Sequence, residues 1–113
     1  MIVRRAADAV PYAPPGHVGV RSRRLQGAEA GGPAGFWVAE SVYPSGAAAE
    51  LAPTAGDTVY VLLEGEIEVT ADGHTETLRP HDSVFIPDGD RRSVLNAAEG
   101  PALLLVVLQP VGI

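Results

Sequence analysis

The chain has no cysteine, which excludes disulfides, thiolate nucleophiles and cysteine-ligated metals. It also has no lysine: all eight basic residues are arginine. That removes Schiff-base chemistry and any cofactor held as a lysine aldimine. A GC-rich genome explains the bias more simply than a functional demand. Aromatic residues make up only 5% of the chain. There are three histidines, His17, His74 and His81, so a mononuclear site with three imidazole ligands would need every one. No apolar run approaches the roughly 18–20 residues of a membrane-spanning helix, and the N-terminus carries no signal-peptide apolar core. The expectation is a soluble cytoplasmic protein. Positive charge is scarce too. A net charge of −6 and a pI near 4.8 speak against nucleic acid or an anionic membrane as partner. No G-x-S-x-G, P-loop or dinucleotide fingerprint occurs.

What is present suits one domain with a single core, at 113 residues and 46% apolar content. Thirteen glycines and ten prolines cut the chain into the short segments that all-β folds use. The strongest strand signal is residues 58–63, TVYVLL, followed by a turn at Glu64-Gly65 and an alternating strand over 66–70. The two read as a hairpin of a buried and a half-buried strand. The preceding residues 46–57 read as irregular, with 47–51 at most a helical turn between Gly46 and Pro53. Ile2 and Val3 suggest an edge strand leading into a helical turn, Pro11 to Gly16 a breaker cluster, 18–25 one strand and 29–35 a loop. Residues 36–43 form a strand with Trp37, Ala39, Ser41 and Tyr43 on one face. Asp72-Gly73 signals a type I′ hairpin. Short strands at 75–78, 83–86, 92–96 and 102–108 follow, divided by turns. Strands spaced by about 8–12 residues predict an all-β sandwich or barrel.

Two spacings then stand out. Gly46 and Gly65 fall where the glycines of G-x5-H-x-H-x3/4-E-x6-G belong. Pro87, Gly89 and Asn96 match G-x5-P-x-G-x2-H-x3-N, with His81 in place of its opening glycine. These are the two motifs of the cupins, and the chain resembles their small single-domain members, which are jelly-roll β-barrels. The resemblance implies one cupin domain over residues 1–113, with N-terminal strands and a loop in 1–35 and the barrel with both motifs in 36–108. It also implies a homodimer, for which strands 36–43 and 102–108 offer apolar surface. The metal-ligand positions of the motifs hold Ala52, Thr54, Thr58 and Arg92. Methyl and guanidinium groups do not coordinate, and neutral hydroxyls are poor ligands. The expectation is no metal and no cofactor. A relocated site made from His17, His74 and His81 is a minor alternative, because 74 and 81 belong to turns on the outside of such a barrel.

In the resembled fold the ligand positions point into the barrel. Strand alternation then turns Thr58, Tyr60 and Leu62 inward, with Ala52 and Thr54 nearby and Arg92 entering from another strand. An arginine in a mostly apolar pocket pairs best with a carboxylate or phosphate. The expected function is therefore binding of a small acidic or aromatic metabolite, clamped by Arg92. The competing expectation pairs Arg92 with Glu40 or Glu50, or sends it to solvent beside Arg91. Phe36 and Trp37 are expected in the core or an interface. A second function class is a metal-independent isomerase, cyclase or lyase, with Tyr60 as acid and His17 or Glu50 as base. A third is a non-catalytic structural or interaction barrel.

Overall fold

The computed structural model describes residues 1–111. Eleven strands run through them: β1 (Val10–Tyr12), β2 (His17–Val18), β3 (Arg21–Gln26), β4 (Trp37–Tyr43), β5 (Ala48–Pro53), β6 (Gly56–Glu64), β7 (Ile67–Ala71), β8 (His74–Leu78), β9 (Ser83–Ile86), β10 (Arg91–Leu95) and β11 (Ala102–Pro110). Short 3₁₀ turns lie at Ala6–Asp8 and Ala28–Ala30. The strands form two antiparallel sheets, ordered β1-β3-β4-β11-β6-β9 and β2-β5-β10-β7-β8. The sheets face each other as a jelly-roll barrel, the all-β class expected from the sequence. No helix among the described residues is long and apolar enough to cross a membrane.

The core follows from period-two alternation. Thr58, Tyr60 and Leu62 of β6, Ala102 and Leu104 of β11, and Ala39 and Tyr43 of β4 point between the sheets. They meet Ile67, Val69 and Val94 from the opposite sheet. Each large apolar side chain buried there contributes roughly 1.5–3 kcal/mol. The type I′ hairpin forms as its sequence demands, with Asp72 and Gly73 at φ 52° and 72°, and joins β7 to β8. His81, standing at a motif glycine, takes φ 74°. The position therefore needs the left-handed region, which glycine enters without strain. The histidine is held there by its N–H donating to the Leu62 carbonyl at 2.7 Å.

Four local expectations are corrected. Residues 47–51 are not a helical turn: Ala48–Pro53 is a strand, paired with β2 on one side and β10 on the other. Its alanines and glutamate carry no β-preference, and two partners override that lack. The strands over 58–63 and 66–70 do not pair with each other. β6 pairs with β11 and β9, and β7 with β10 and β8. Gly65, at φ 83°, makes an arch from one sheet to the other; a Cβ there would clash with the Pro101 carbonyl oxygen. The strand expected over 18–25 is split at Gly19 (φ 73°), leaving His17–Val18 in one sheet and Arg21–Gln26 in the other. The edge strand expected at Ile2 and Val3 is irregular, exposed chain. The edge is formed by β1, which accommodates Pro11 because an edge strand has a side without a ladder.

Asn96 ties both motifs together. Its side chain is fully buried and donates to the carbonyls of Tyr43 (2.8 Å) and Gly100 (2.9 Å), while its oxygen accepts from the Ala98 N–H at 2.9 Å. Its own carbonyl accepts from the Gly46 N–H at 2.8 Å. The asparagine of the second motif thus closes the turn opened by the first glycine of the first.

Candidate functional site

A cavity of about 480 Å³ opens at one end of the barrel. The inward positions of β4, β6 and β11 supply its wall with Ser41, Tyr43, Thr58, Tyr60 and Val106. Ala52 and Thr54 enter from β5, and Arg92 from β10. The β5–β10 register slips between Arg92 and Val94, opposite Ala52 and Ala49, so β5 carries one extra residue there. This bulge spans Glu50 and Leu51 and lets Ala49 and Ala52 both face inward. Across the opening lies the segment Tyr12-Ala13-Pro14-Pro15, followed by His17.

Arg92 is half-buried, and its two hydrogen bonds go to neutral groups. Nε donates to the Tyr60 hydroxyl oxygen at 2.9 Å and Nη1 to the Glu50 backbone carbonyl at 3.0 Å. Glu40 is unavailable to Arg92 because Arg23 of β3 takes it. The carboxylate of Glu50 is also not the partner: its residue sits in the bulge, is exposed, and does not line the cavity. Tyr60 accepts from Arg92 and donates to no protein group among the described residues, so its phenol proton stays uncommitted. Burial raises the Tyr60 phenol above the usual tyrosine range, and Arg92 opposes that rise. Tyr43 is raised by burial too, with Tyr60 adding to the shift and Arg92 opposing it.

His17 borders the same cavity. Its Nδ1 lies 2.9 Å from the Pro15 carbonyl. A carbonyl only accepts, so Nδ1 carries the hydrogen and a neutral His17 presents a bare Nε2. Burial lowers its pKa below the ordinary histidine value, Arg92 pushes the same way, and the bond to Pro15 opposes both.

The mouth carries a stack that sequence reasoning missed. The Arg24 guanidinium lies 4.1 Å from the Trp37 ring and 4.6 Å from the Tyr12 ring, the two rings meeting edge to face at 6.2 Å. Glu29 holds its Nη1 at 2.6 Å. Trp37 thus packs against the core, as expected, and is also part of the cavity wall. The three residues come from β1, β3 and β4, at no fixed spacing. The readable signal was parity: Trp37, Ser41 and Tyr43 share the inward face of β4.

Other expected site residues separate. Ala52, Thr54, Thr58, Tyr60, Arg92 and His17 line one cavity. Leu62 does not: two residues further along the inward face than Tyr60, it is fully buried in the core. His74 is exposed and bonded to Glu76 at 2.7 Å, and His81 is exposed in its turn. Among the described residues no three His, Asp or Glu side chains converge on a point. At the four motif positions the donors do not suit a divalent metal. The Thr54 hydroxyl donates to the Pro87 carbonyl at 2.9 Å and the Thr58 hydroxyl to that of Gly56 at 3.0 Å, while Arg92 brings positive charge to the same place.

Two antiparallel sheets rolled around a cavity open at one end define a jelly-roll barrel. The chain belongs to the cupin domain family, whose model matches residues 39–108. It is 48% identical over 108 residues to a Mycobacterium tuberculosis protein named beta-D-galactosidase, covering 96% of this chain and 93% of that one. Among solved structures, a predicted oxalate decarboxylase from Thermotoga maritima superposes with TM-score 0.82 at 23% identity, covering 98% of this chain and all of that one. A polyketide cyclase from Streptomyces resistomycificus gives TM-score 0.82 at 19% identity, covering 100% and 87%. At such identities these structures speak for the fold alone.

Proposed function

We propose that this cupin binds a small acidic or aromatic glycoside in its barrel and hydrolyses it without a metal, the scissile bond being a β-galactoside linkage. The observation that carries this reading is the hydrogen-bonded Tyr60–Arg92 pair beside His17 in a cavity of about 480 Å³, a volume in the range of small-molecule sites. The near-full-length relative named beta-D-galactosidase supplies the bond class. Most glycosidases use two carboxylates, but among the described residues no Asp or Glu lines this cavity, so acid and base fall to other groups. Tyr60 gives its uncommitted proton to the departing glycosidic oxygen, and Arg92 stabilises the phenolate left behind. His17 Nε2 takes a proton from the water that attacks the sugar carbon. The carbon–oxygen bond to the aglycone breaks, that to water forms, and proton exchange with solvent resets both residues. The apolar rim at Pro14, Pro53 and Leu108 suits an aromatic aglycone.

The pH profile tests these roles. His17 must be neutral to act, and its pKa lies below the ordinary 6.5. Tyr60 must be protonated, and its pKa lies above the ordinary 10. The kcat/KM for 4-nitrophenyl β-D-galactoside is therefore flat from below pH 6.5 to above pH 10, falling with acid as His17 protonates. His17→Gln should lower the rate about 10²-fold or more and remove the acid limb. An acid limb unchanged in His17→Gln, at wild-type rate, contradicts the base assignment.

The same reading includes self-association. Outward residues of the six-stranded sheet form an apolar row, with Val38, Val107, Val59 and Phe85 in register across β4, β11, β6 and β9; Phe85 is 58% exposed. Sheet-to-sheet packing of two copies covers that row. Light scattering after gel filtration should give a dimer mass for wild type and a monomer for Val107→Arg; a monomeric wild type contradicts it.

A further inference from the structure

We infer that the floor of the cavity is an acid-binding subsite formed by Arg92 and Tyr43, and that the glycoside it takes is a uronide, a sugar whose carbon 6 is a carboxylate. This rests on the β-galactoside reading above and departs from it at carbon 6 alone, where galactose itself carries a neutral hydroxymethyl group.

The floor is set by burial. Tyr43 is 2% and Tyr60 5% exposed, whereas Ala13, Pro15 and Ala55 at the rim are exposed. A glycoside seated with its sugar inward places that ring against the two tyrosines and Arg92. The charge balance there is uneven. Arg24 and Arg92 are the permanently charged groups lining the cavity, and Arg24 is matched by Glu29 at 2.6 Å. Arg92 makes no ion pair among the described residues and meets only a phenol oxygen and a backbone carbonyl. A half-buried guanidinium without a counter-charge pairs best with an anionic occupant. Two of its five N–H groups are used, so the rest are open to an occupant.

Tyr43 points to the same chemistry independently. Its hydroxyl makes no hydrogen bond to a protein group among the described residues, although its backbone carbonyl accepts from Asn96. A position that needed only a ring would be served by phenylalanine; the tyrosine instead turns its hydroxyl into the cavity, where it is free to donate to an occupant. The phenol lines the same cavity as Tyr60 and Arg92, and Arg92 is itself bonded to Tyr60. Donors thus face one cavity without an acceptor. A carboxylate answers all of them: two oxygens for the guanidinium, a lone pair for the phenol and one negative charge. The hydroxymethyl group of galactose supplies a single oxygen and no charge.

The test compares sugars that differ only at carbon 6. Dissociation constants for galacturonate and galactose, and kcat/KM for 4-nitrophenyl β-D-galacturonide and 4-nitrophenyl β-D-galactoside, are measured on wild type, Tyr43→Phe and Arg92→Gln. The acidic member of each pair should win by about tenfold or more in wild type. Both variants should lose that preference, and Tyr43→Phe, which keeps the ring, should melt within a few degrees of wild type. Equal affinity for both sugars overturns the acid subsite and leaves the galactoside reading standing. A preference retained in Tyr43→Phe overturns the role of Tyr43. A preference for 4-carboxyphenyl over phenyl β-D-galactoside, with none for the uronide, puts the charge on the aglycone and overturns the placement. If neither sugar binds and neither glycoside is cleaved, both readings fall.

Discussion

Tyr60→Phe is expected to lower kcat for an alkyl β-D-galactoside by about 10²–10⁴-fold, the usual contribution of a positioned general acid. The ring is 5% exposed and packs in the core cluster, so phenylalanine preserves shape and fold. What disappears is the phenol proton and the oxygen that accepts from Arg92 Nε at 2.9 Å. The loss should depend on the leaving group. 4-Nitrophenolate departs with little help, whereas an alkyl galactoside needs protonation and should suffer the larger drop. A folded Tyr60→Phe protein that cleaves both substrates at the wild-type rate would show that Tyr60 is not the acid. A drop confined to KM would make Tyr60 a binding residue only.

The largest effect on stability is expected at Asn96. Asn96→Ala removes two donated bonds and one accepted bond, leaving the carbonyls of Tyr43 and Gly100 and the N–H of Ala98 without their partner. The site is fully buried, so water does not replace the amide freely. A loss of about 3 kcal/mol or more follows, which for a domain of this size lowers the melting temperature by roughly 12–20 °C. Asn96→Asp should be worse near neutral pH, since a buried carboxylate cannot donate to two carbonyls. A melting temperature within about 3 °C of wild type for Asn96→Ala would mean that this bridge between the motifs does not hold the barrel together.

These two residues also show how the sequence speaks unevenly. The alternation through β4, β6 and β11 was readable because one face of each strand is buried, and the Asp72-Gly73 turn because its backbone angles admit few other pairs. Motif spacing located Asn96 and Arg92 as well, and the alternation of β6 turned Tyr60 inward. β5 was not readable: Ala48, Ala49 and Glu50 have no strand preference, and pairing with β2 and β10 makes them a strand. The Glu64-Gly65 connection was misread because a glycine at positive φ serves a hairpin or an arch equally, and only the close approach of Pro101 decides. In the site, the protein partners weighed for Arg92 beside a ligand were the side chains of Glu40 and Glu50. The actual acceptor at Glu50 is a backbone carbonyl, presented by a bulge that no residue type announces. The Tyr12–Arg24–Trp37 stack gathers residues from three strands, and its distances exist only after folding.

The central claim is that this barrel works through Tyr60, Arg92 and His17, with Ala52, Thr54 and Thr58 replacing metal ligands. Its most direct test is the cleavage rate of 4-nitrophenyl β-D-galactoside by wild-type protein before and after exhaustive dialysis against EDTA, with Mn, Fe, Ni and Zn then added back singly. The predicted result is one rate throughout. A rate abolished by EDTA and restored by any one of these metals would contradict the account.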